Sequence, residues 1–423
     1  MAETAVDTRT RAAHVNLLTA TPAGLPWLRQ SLKFWLQRRP RWLTEKVLKR
    51  RHFQSEFKRL DFIYSGGWVR VDRFPEFPHC EPEDPRYRWV LFISNFSNDW
   101  DPYRDAFIDM FARGVASIWG PSVDFPKFPA RGTTYALHDW YASRAVPSAH
   151  YYSAYPRAAP RDIRAALRVN REIKAFISNW DNLKQISHNI KNDDRQPAPQ
   201  QQLADFERLL ARLQNCLAPI EGFSGQPPML GPVNASGMTN FASLVPIATD
   251  QEKRVKAALD NLYPGSESPF RNVPGTHFAR LAIIDRRAAG SHPHTQFELR
   301  NSWLLFAADF DGLVDSAQAG RGQAPQGEVR RYIDDVGTRK ELRTIWSSCQ
   351  GYRDTEPLYE FLRPSILNRI TTYQDYASST LREIKQAFEV HALVRGYLVA
   401  RHTPASLDSL LVELRAACAT SRY

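Results

Sequence analysis

"RYRWVLFISNFSNDWDPYRDAF" spans residues 86–107. From Trp89 to Asn95 it reads as a strand that is apolar on both faces. Trp89, Leu91 and Ile93 point one way; Val90, Phe92 and Ser94 point the other. An antiparallel strand with one wet face alternates apolar with polar residues, so this strand is covered on both sides. The chain then turns through Asn, Ser, Asn and Asp into a helix-like segment. "NSWLLFAADFDGLVDS", residues 301–316, makes the same move.

The recurrence belongs to a longer internal repeat. "FISNF" at 92–96 falls on "FAADF" at 306–310, an offset of 214. "YSAYPRAAPRDIRAAL" from Tyr152 falls on "YQDYASSTLREIKQAF" from Tyr373 without a gap, an offset of 221. Tyr152 and Tyr155 thereby match Tyr373 and Tyr376, and a charge-matched helix start follows each pair. "WVRV" at 68–71 resembles "FARL" at 278–281, and Trp119 resembles Trp346. The offsets drift with loop length while the order of elements holds. The largest drift falls where the second half carries "SAQAGRGQAPQGE", Ser316–Glu328, a loop by composition.

Each half reads as strand, helix, strand, strand, helix, strand, with a long closing helix. The strands fall at about 14–21, 64–73, 88–96 and 149–155, then at about 240–248, 277–285, 302–310 and 371–376. The first helix of each half falls at about 25–39 and 250–263, and the second at about 100–118 and 329–348. The closing helices fall at about 160–178 and 379–400. This is the ferredoxin-like order. Each sheet has helices on one face and a bare face that its counterpart can cover. The expected fold is α+β, two ferredoxin-like repeats forming a pseudo-dimeric α/β barrel. Residues 1–190 hold the first repeat with a basic helical insertion, 191–237 a linker with a short helix near 203–217, and 238–423 the second repeat.

The bulk composition bounds the function. A chain of 423 residues with 43% hydrophobic residues builds a sizeable core. Its four cysteines, Cys80, Cys216, Cys349 and Cys418, are scattered, which argues for reduced thiols in the cytoplasm and against a disulfide framework or zinc site. The N-terminal stretch has no long apolar region of the secretory type, and no run is long enough to span a bilayer. Of the net charge of +11, +9 lies between Pro26 and Leu60, where eleven Lys/Arg face two Glu. That stretch interleaves Trp27, Leu28, Leu32, Trp35 and Leu36 with Arg29, Lys33, Arg38 and Arg39. Such a pattern suits either an amphipathic helix on the sheet or an anionic membrane surface met peripherally. Nucleic acid is not expected, because the body of the chain is close to neutral.

"THFARLAIID" followed by "NSWLLFAADFDG" resembles the dimeric α/β-barrel superfamily, and within it the tandem ferredoxin-like proteins such as the dye-decolorising haem peroxidases. The resemblance covers element order and the strand-to-acidic-corner step in both halves. It implies architecture, and it implies an oxidoreductase of peroxidase or monooxygenase type, with haem as the cofactor a peroxidase would carry. The peroxidase GxxDG motif is not found: "DFDG" at 309–312 lacks the preceding glycine spacing. His391, in "EVHALVRGY" of the closing helix, is the candidate cofactor ligand. A hydrophobic or lipid-like substrate would lie between the sheets. The alternative is a non-catalytic ligand-binding or membrane-associated accessory protein.

Candidate site residues follow from the repeat. Asn95, Asp99, Asp309 and Asp311 form acidic corners, read either as a polar cluster at a barrel mouth or as helix caps. Arg70 and Arg280 are matching in-strand arginines, able to hold an anion bidentately or to pair with an acid at the rim. Tyr152, Tyr155, Tyr373 and Tyr376, with Tyr151 beside them, line a pocket or pack the core. Asp99, Asp309, Asp311, Arg70 and Arg280 are the catalytic candidates; Asn95 and the four tyrosines are the substrate-binding ones. "SHPHT" is a lone HxH without further ligands, so no metal site is expected. No P-loop, GxSxG or HExxH motif occurs.

Overall fold

The computed structural model describes residues 12–22, 61–83, 87–120, 122–126, 134–189, 199–220, 227–264, 267–286, 299–313, 326–367, 369–399 and 404–419. In chain order these form β1 (Ala12–Pro22), β2 (Ile63–Val71), β3 (Tyr87–Ser97), α1 (Trp100–Trp119), α2 (Thr134–Ala142), β4 (Ser148–Ser153), α3 (Pro160–Asn189) and α4 (Pro199–Leu213). The second half adds β5 (Gly237–Pro246), α5 (Glu252–Asp260), β6 (Thr276–Ile284), β7 (Trp303–Gly312), α6 (Gln326–Gly337), α7 (Lys340–Trp346), α8 (Leu358–Leu362), β8 (Arg369–Gln374), α9 (Leu381–Val399) and α10 (Pro404–Ala419). The basic stretch 26–60 and the helix expected at 25–39 lie outside the described residues, as does "SHPHT".

The strands make two four-stranded antiparallel sheets, ordered β1-β3-β2-β8 and β4-β6-β7-β5. The fold is therefore mixed α+β. Two expectations need correction. Each sheet takes its fourth strand from the other half: β4 pairs with β6, and β8 pairs with β2. The ladders also do not join into one closed barrel. Between the sheets there are isolated bridges, Leu17↔Ala145 on one side and Ser243↔Ile366 on the other. Both follow from the fourth strands sitting at sheet edges, where the flanks of β4 still bond to β1 (Val146 N–H to Asn16 O, 2.8 Å) and those of β8 to β5 (Leu367 N–H to Ala242 O, 2.8 Å).

The doubly apolar strands are core strands between two layers. Trp89, Leu91 and Ile93 of β3 join Leu18, Val69, Leu244, Ile284, Trp303 and Leu305 in one core between the sheets. On the opposite face, Phe92 and Phe96 pack with Trp68 against Tyr103, Val115 and Trp119 of α1. The outer face of the other sheet does the same with Phe306, Phe310, Tyr332 and Trp346. Each large side chain buried this way stabilises by about 1.5–3 kcal/mol. Helices α3, α4, α9 and α10 form a separate apolar cluster through Val169, Phe206, Val394 and Leu411. The helix expected at 329–348 splits at Gly337, where an added Cβ would stand 3.0 Å from Leu358 Cβ. Among the described residues, no helix is long and apolar enough to cross a membrane.

Candidate functional site

The inner faces are apolar at one end and polar at the other. Moving along β3, the inward residues run Trp89, Leu91, Ile93 and then Asn95; along β7 they run Trp303, Leu305, Ala307 and then Asp309. The polar ends meet. Asn95 Nδ2 donates to Asp309 Oδ2 at 2.7 Å, and Ser65 Oγ donates to the same oxygen at 2.8 Å. Arg280 of β6 crosses to the first half. Its Nη1 donates to Asn16 Oδ1 (3.0 Å), Ser94 O (3.1 Å) and Val15 O (3.2 Å), and its Nη2 donates to Asn95 Oδ1. Asn95 thus stands between a guanidinium and a carboxylate, with its oxygen toward one and its nitrogen toward the other. The reverse amide orientation would set like against like on both sides.

Tyr151 closes this group. Its hydroxyl donates to Asn95 Oδ1 at 3.2 Å, its ring lies 5.6 Å from the Arg280 guanidinium, and His14 stacks on it at 4.1 Å. Burial, and then the charge of Arg280, hold the His14 imidazole well below its ordinary pKa. Asn16, Asn95, Arg280 and Asp309 are all buried. A buried ion set in this state is costly unless it is hydrogen-bonded; here Ser65 and Asn95 bond Asp309 Oδ2, and Asn16, Asn95 and two backbone carbonyls bond Arg280. Arg280 and Asp309 therefore tie the sheets together as much as they offer chemistry.

A second group lies two residues further along β7. Asp311 Oδ1 faces His277 Nε2 at 2.8 Å and accepts the Leu381 backbone N–H at 2.9 Å. His277 Nδ1 faces the Tyr155 hydroxyl at 2.9 Å, and the Tyr376 hydroxyl donates to the Tyr155 oxygen at 2.6 Å. All four side chains are buried. His277 reaches this place through a β-bulge. The β6–β7 register skips between Thr276 and Phe278, leaving His277 out of the alternation. The same skip occurs between Ile63 and Ser65 in β2, where the extra residue is Tyr64, its hydroxyl donating to Ala158 O at 2.7 Å. Burial raises the Tyr155 and Tyr376 phenols well above their ordinary value.

The fates of the sequence candidates divide. Asn95, Asp309 and Arg280 converge in the first group; Asp311, Tyr155 and Tyr376 converge in the second. Asp99 is exposed, and its carbonyl accepts the Tyr103 N–H at the start of α1. Asn98 before it has a positive φ of 72°, which makes the turn from strand to helix. The corners are thus not equivalent: β7 continues through Asp309 and Asp311, so neither starts a following helix as the first corner does, and Asp311 instead accepts the first backbone N–H of α9. Tyr152 packs on the outer face of its sheet, and Tyr373 on the outer face of the other, its hydroxyl donating to Asp375 at 3.0 Å. Arg70 pairs with Val90 through the backbone; its side chain lies outside the described residues.

His391 sits in the helical layer, away from both groups. Its Nε2 meets the Cys216 carbonyl at 3.0 Å, and a carbonyl only accepts, so that nitrogen carries a proton and has no lone pair for iron. Its pKa is lowered, chiefly by burial. His150 is engaged by Ser268 and both nitrogens of His277 are engaged. His277 thus has no ring nitrogen left for iron, and His391 has none at Nε2. Among the described residues, no three His, Cys, Asp or Glu side chains converge as a metal site requires. Ser65 and Asn16 escaped the sequence reading, and His277, within "THFARLAIID", was given no role there. The bulge that turns His277 leaves no mark in composition, although "HF" at the start of β6 held the residue in view.

No family model matches the chain, and no curated protein matches it. Among solved structures it is similar to a protein of Fusobacterium nucleatum provisionally described as a monooxygenase. The two share 6% identity at a TM-score of 0.29, over 87% of this chain and 96% of that one. At that score the likeness carries neither fold nor activity across.

Proposed function

We propose that the protein is an oxidoreductase acting on a hydrophobic, lipid-like molecule. The observation that carries the reading is the buried chain Tyr376–Tyr155–His277–Asp311. A phenol held against an imidazole, itself held by a carboxylate, moves a proton away from water when a substrate is oxidised or reduced. The apolar half of the inter-sheet space is filled by Trp89, Leu91, Trp303 and Leu305. The substrate is therefore assigned to the polar end, beside the exposed apolar side chains of Met229, Val233 and Leu313. Haem is not part of the proposal.

The finer architecture belongs to the same proposal. Two repeats related by an approximate twofold, as in a pseudo-dimeric barrel, would bring equivalent residues together on the axis. The contacts Asn95–Asp309 and Tyr155–Tyr376, at sequence separations of 214 and 221, support that relation. A cytoplasmic location with peripheral membrane contact through residues 26–60 is consistent with the lipid-like substrate.

The test is a native mass spectrum with an absorption spectrum of the isolated chain, before and after incubation with a total lipid extract. A mass above the 48.5 kDa of the chain, traced to an apolar organic molecule, is expected. A bare chain that captures nothing from the extract overturns the substrate assignment and leaves the accessory reading. That reading has its own support in the filled apolar inter-sheet core.

A further inference from the structure

We infer that Tyr155 and Tyr376 are a redox-active pair in which Tyr155 stores one oxidising equivalent as a neutral phenoxyl radical. The inference deepens the oxidoreductase reading and rests on it only for its use in the cell.

The direction of the hydrogen bonds carries the argument. As a carboxylate, Asp311 only accepts, and its Oδ1 takes the Leu381 N–H and the His277 Nε2–H together. The proton of His277 therefore sits on Nε2, and Nδ1 is left as an acceptor. Tyr155 donates its hydroxyl to that nitrogen, which frees its oxygen to accept from Tyr376. Every proton in the chain has one direction: Tyr376 to Tyr155 to His277, and His277 to Asp311.

Such a phenol loses an electron in a defined way. Burial pushes it well above its ordinary pKa, so it does not ionise to water first. When an electron leaves the ring, the O–H bond breaks and its proton crosses to His277 Nδ1. The products are a neutral Tyr155 phenoxyl radical and an imidazolium held by Asp311; the electron goes to a one-electron oxidant such as an organic peroxyl radical. Recovery takes one hydrogen atom in total: an electron from a phenolic donor, and the proton returned from Nδ1. Tyr376 cannot play the same part, because its hydroxyl donates to Tyr155 rather than to a base. It stabilises the radical oxygen instead. Tyr64 and Phe278, with ring centroids at 6.1 and 5.3 Å, wall the ring off.

The experiment is rapid-freeze electron paramagnetic resonance of the full chain after one-electron oxidation with hexachloroiridate(IV). A tyrosyl signal with a hydrogen-bonded g-tensor is expected. Tyr155→Phe should lower it at least tenfold, and Tyr376→Phe should keep the radical while shifting its largest g-value upward. Ring-fluorinated tyrosine at position 155 keeps the fold and adds fluorine hyperfine splitting to the signal. A radical indifferent to both changes at position 155, or no radical in the wild-type chain, overturns the inference. Neither outcome bears on lipid capture, which the mass spectrum judges separately.

Discussion

Asn95 and Asp309 hold the same place in the two halves of the chain, and they are hydrogen-bonded to each other at 2.7 Å. One is an amide and the other a carboxylate. A symmetric pair of carboxylates would repel, and a symmetric pair of amides would leave Arg280 without a countercharge. The divergence of "FISNF" from "FAADF" at the Asn95/Asp309 position lets a guanidinium, an amide and an acid share a buried space.

Breaking this set from one side should be costly, and breaking it from both sides much less so. Asp309→Leu and Arg280→Leu should each lower unfolding stability by about 3–5 kcal/mol, because each strands a buried charge. The double variant should lose less than the sum, by about 1–3 kcal/mol of coupling. Urea unfolding of the four chains measures this cycle. Additive losses would show that the two charges do not communicate through Asn95.

The pairing of equivalent residues was open to sequence reading, and the exchange of strands was not. Apolar residues on both faces of Trp89–Asn95 require two covering layers, and the offset of 214 puts Asn95 on Asp309. A fourth strand such as "SAHYYS" carries the same pattern whichever sheet it joins, so nothing in it names β6 as its partner. Bulges are silent in the same way: one extra residue at His277 or Tyr64 changes a side chain's direction without changing composition. Helix α10, "PASLDSLLVELRAACA", follows the closing helix of the second half as α4 follows that of the first, yet only the first of these two was expected from the sequence.

The exchange makes the halves interdependent. Residues 1–190 alone would lack the β8 partner of β2, and residues 191–423 alone would lack the β4 partner of β6. Each isolated half should fail to unfold cooperatively, while the co-expressed halves should copurify through a tag on either one. A half that folds alone with a sharp thermal transition would show that the exchanged strand is dispensable.

Buried phenols set a limit at high pH. Tyr155 and Tyr376 have folded pKa values well above the ordinary phenol, mainly through burial. Above about pH 10 the unfolded chain releases these protons and the folded chain keeps them, so stability falls as pH rises. Absorbance at 295 nm should show these groups ionising only as the chain unfolds. A reversible titration of all sixteen tyrosines in the folded protein would contradict this.

Basic residues between Pro26 and Leu60 should govern any attachment to anionic vesicles. Phosphatidylserine-containing liposomes should sediment with the wild-type chain at low salt and release it as salt rises. Neutralising Arg38, Arg39, Lys49, Arg50 and Arg51 together should remove about 5 kcal/mol of attraction at most, near 1 kcal/mol per charge. Unchanged sedimentation of that variant would rule out docking by this stretch.

Two glycines decide how closely the chain covers Asp311. A Cβ on Gly231 would stand 2.3 Å from Asp311 Oδ2, and one on Gly275, where φ is +74°, would stand 2.7 Å from Asp311 Cβ. Asp311 Oδ2 has no hydrogen-bond partner among the described residues, so glycine backbone is what lies against it. Gly231→Ala must push the carboxylate or the 227–236 segment aside, which costs about 1–3 kcal/mol by overpacking. Gly327, near the start of α6, has nothing within 4 Å of an added Cβ, so Gly327→Ala should be neutral or stabilising by up to about 1 kcal/mol. Displacing Asp311 should also loosen His277, so Gly231→Ala should speed exchange of the Leu381 amide proton while Gly327→Ala leaves it alone. Equal stability and equal exchange in the two variants would mean that Asp311 is not held by the glycine contact.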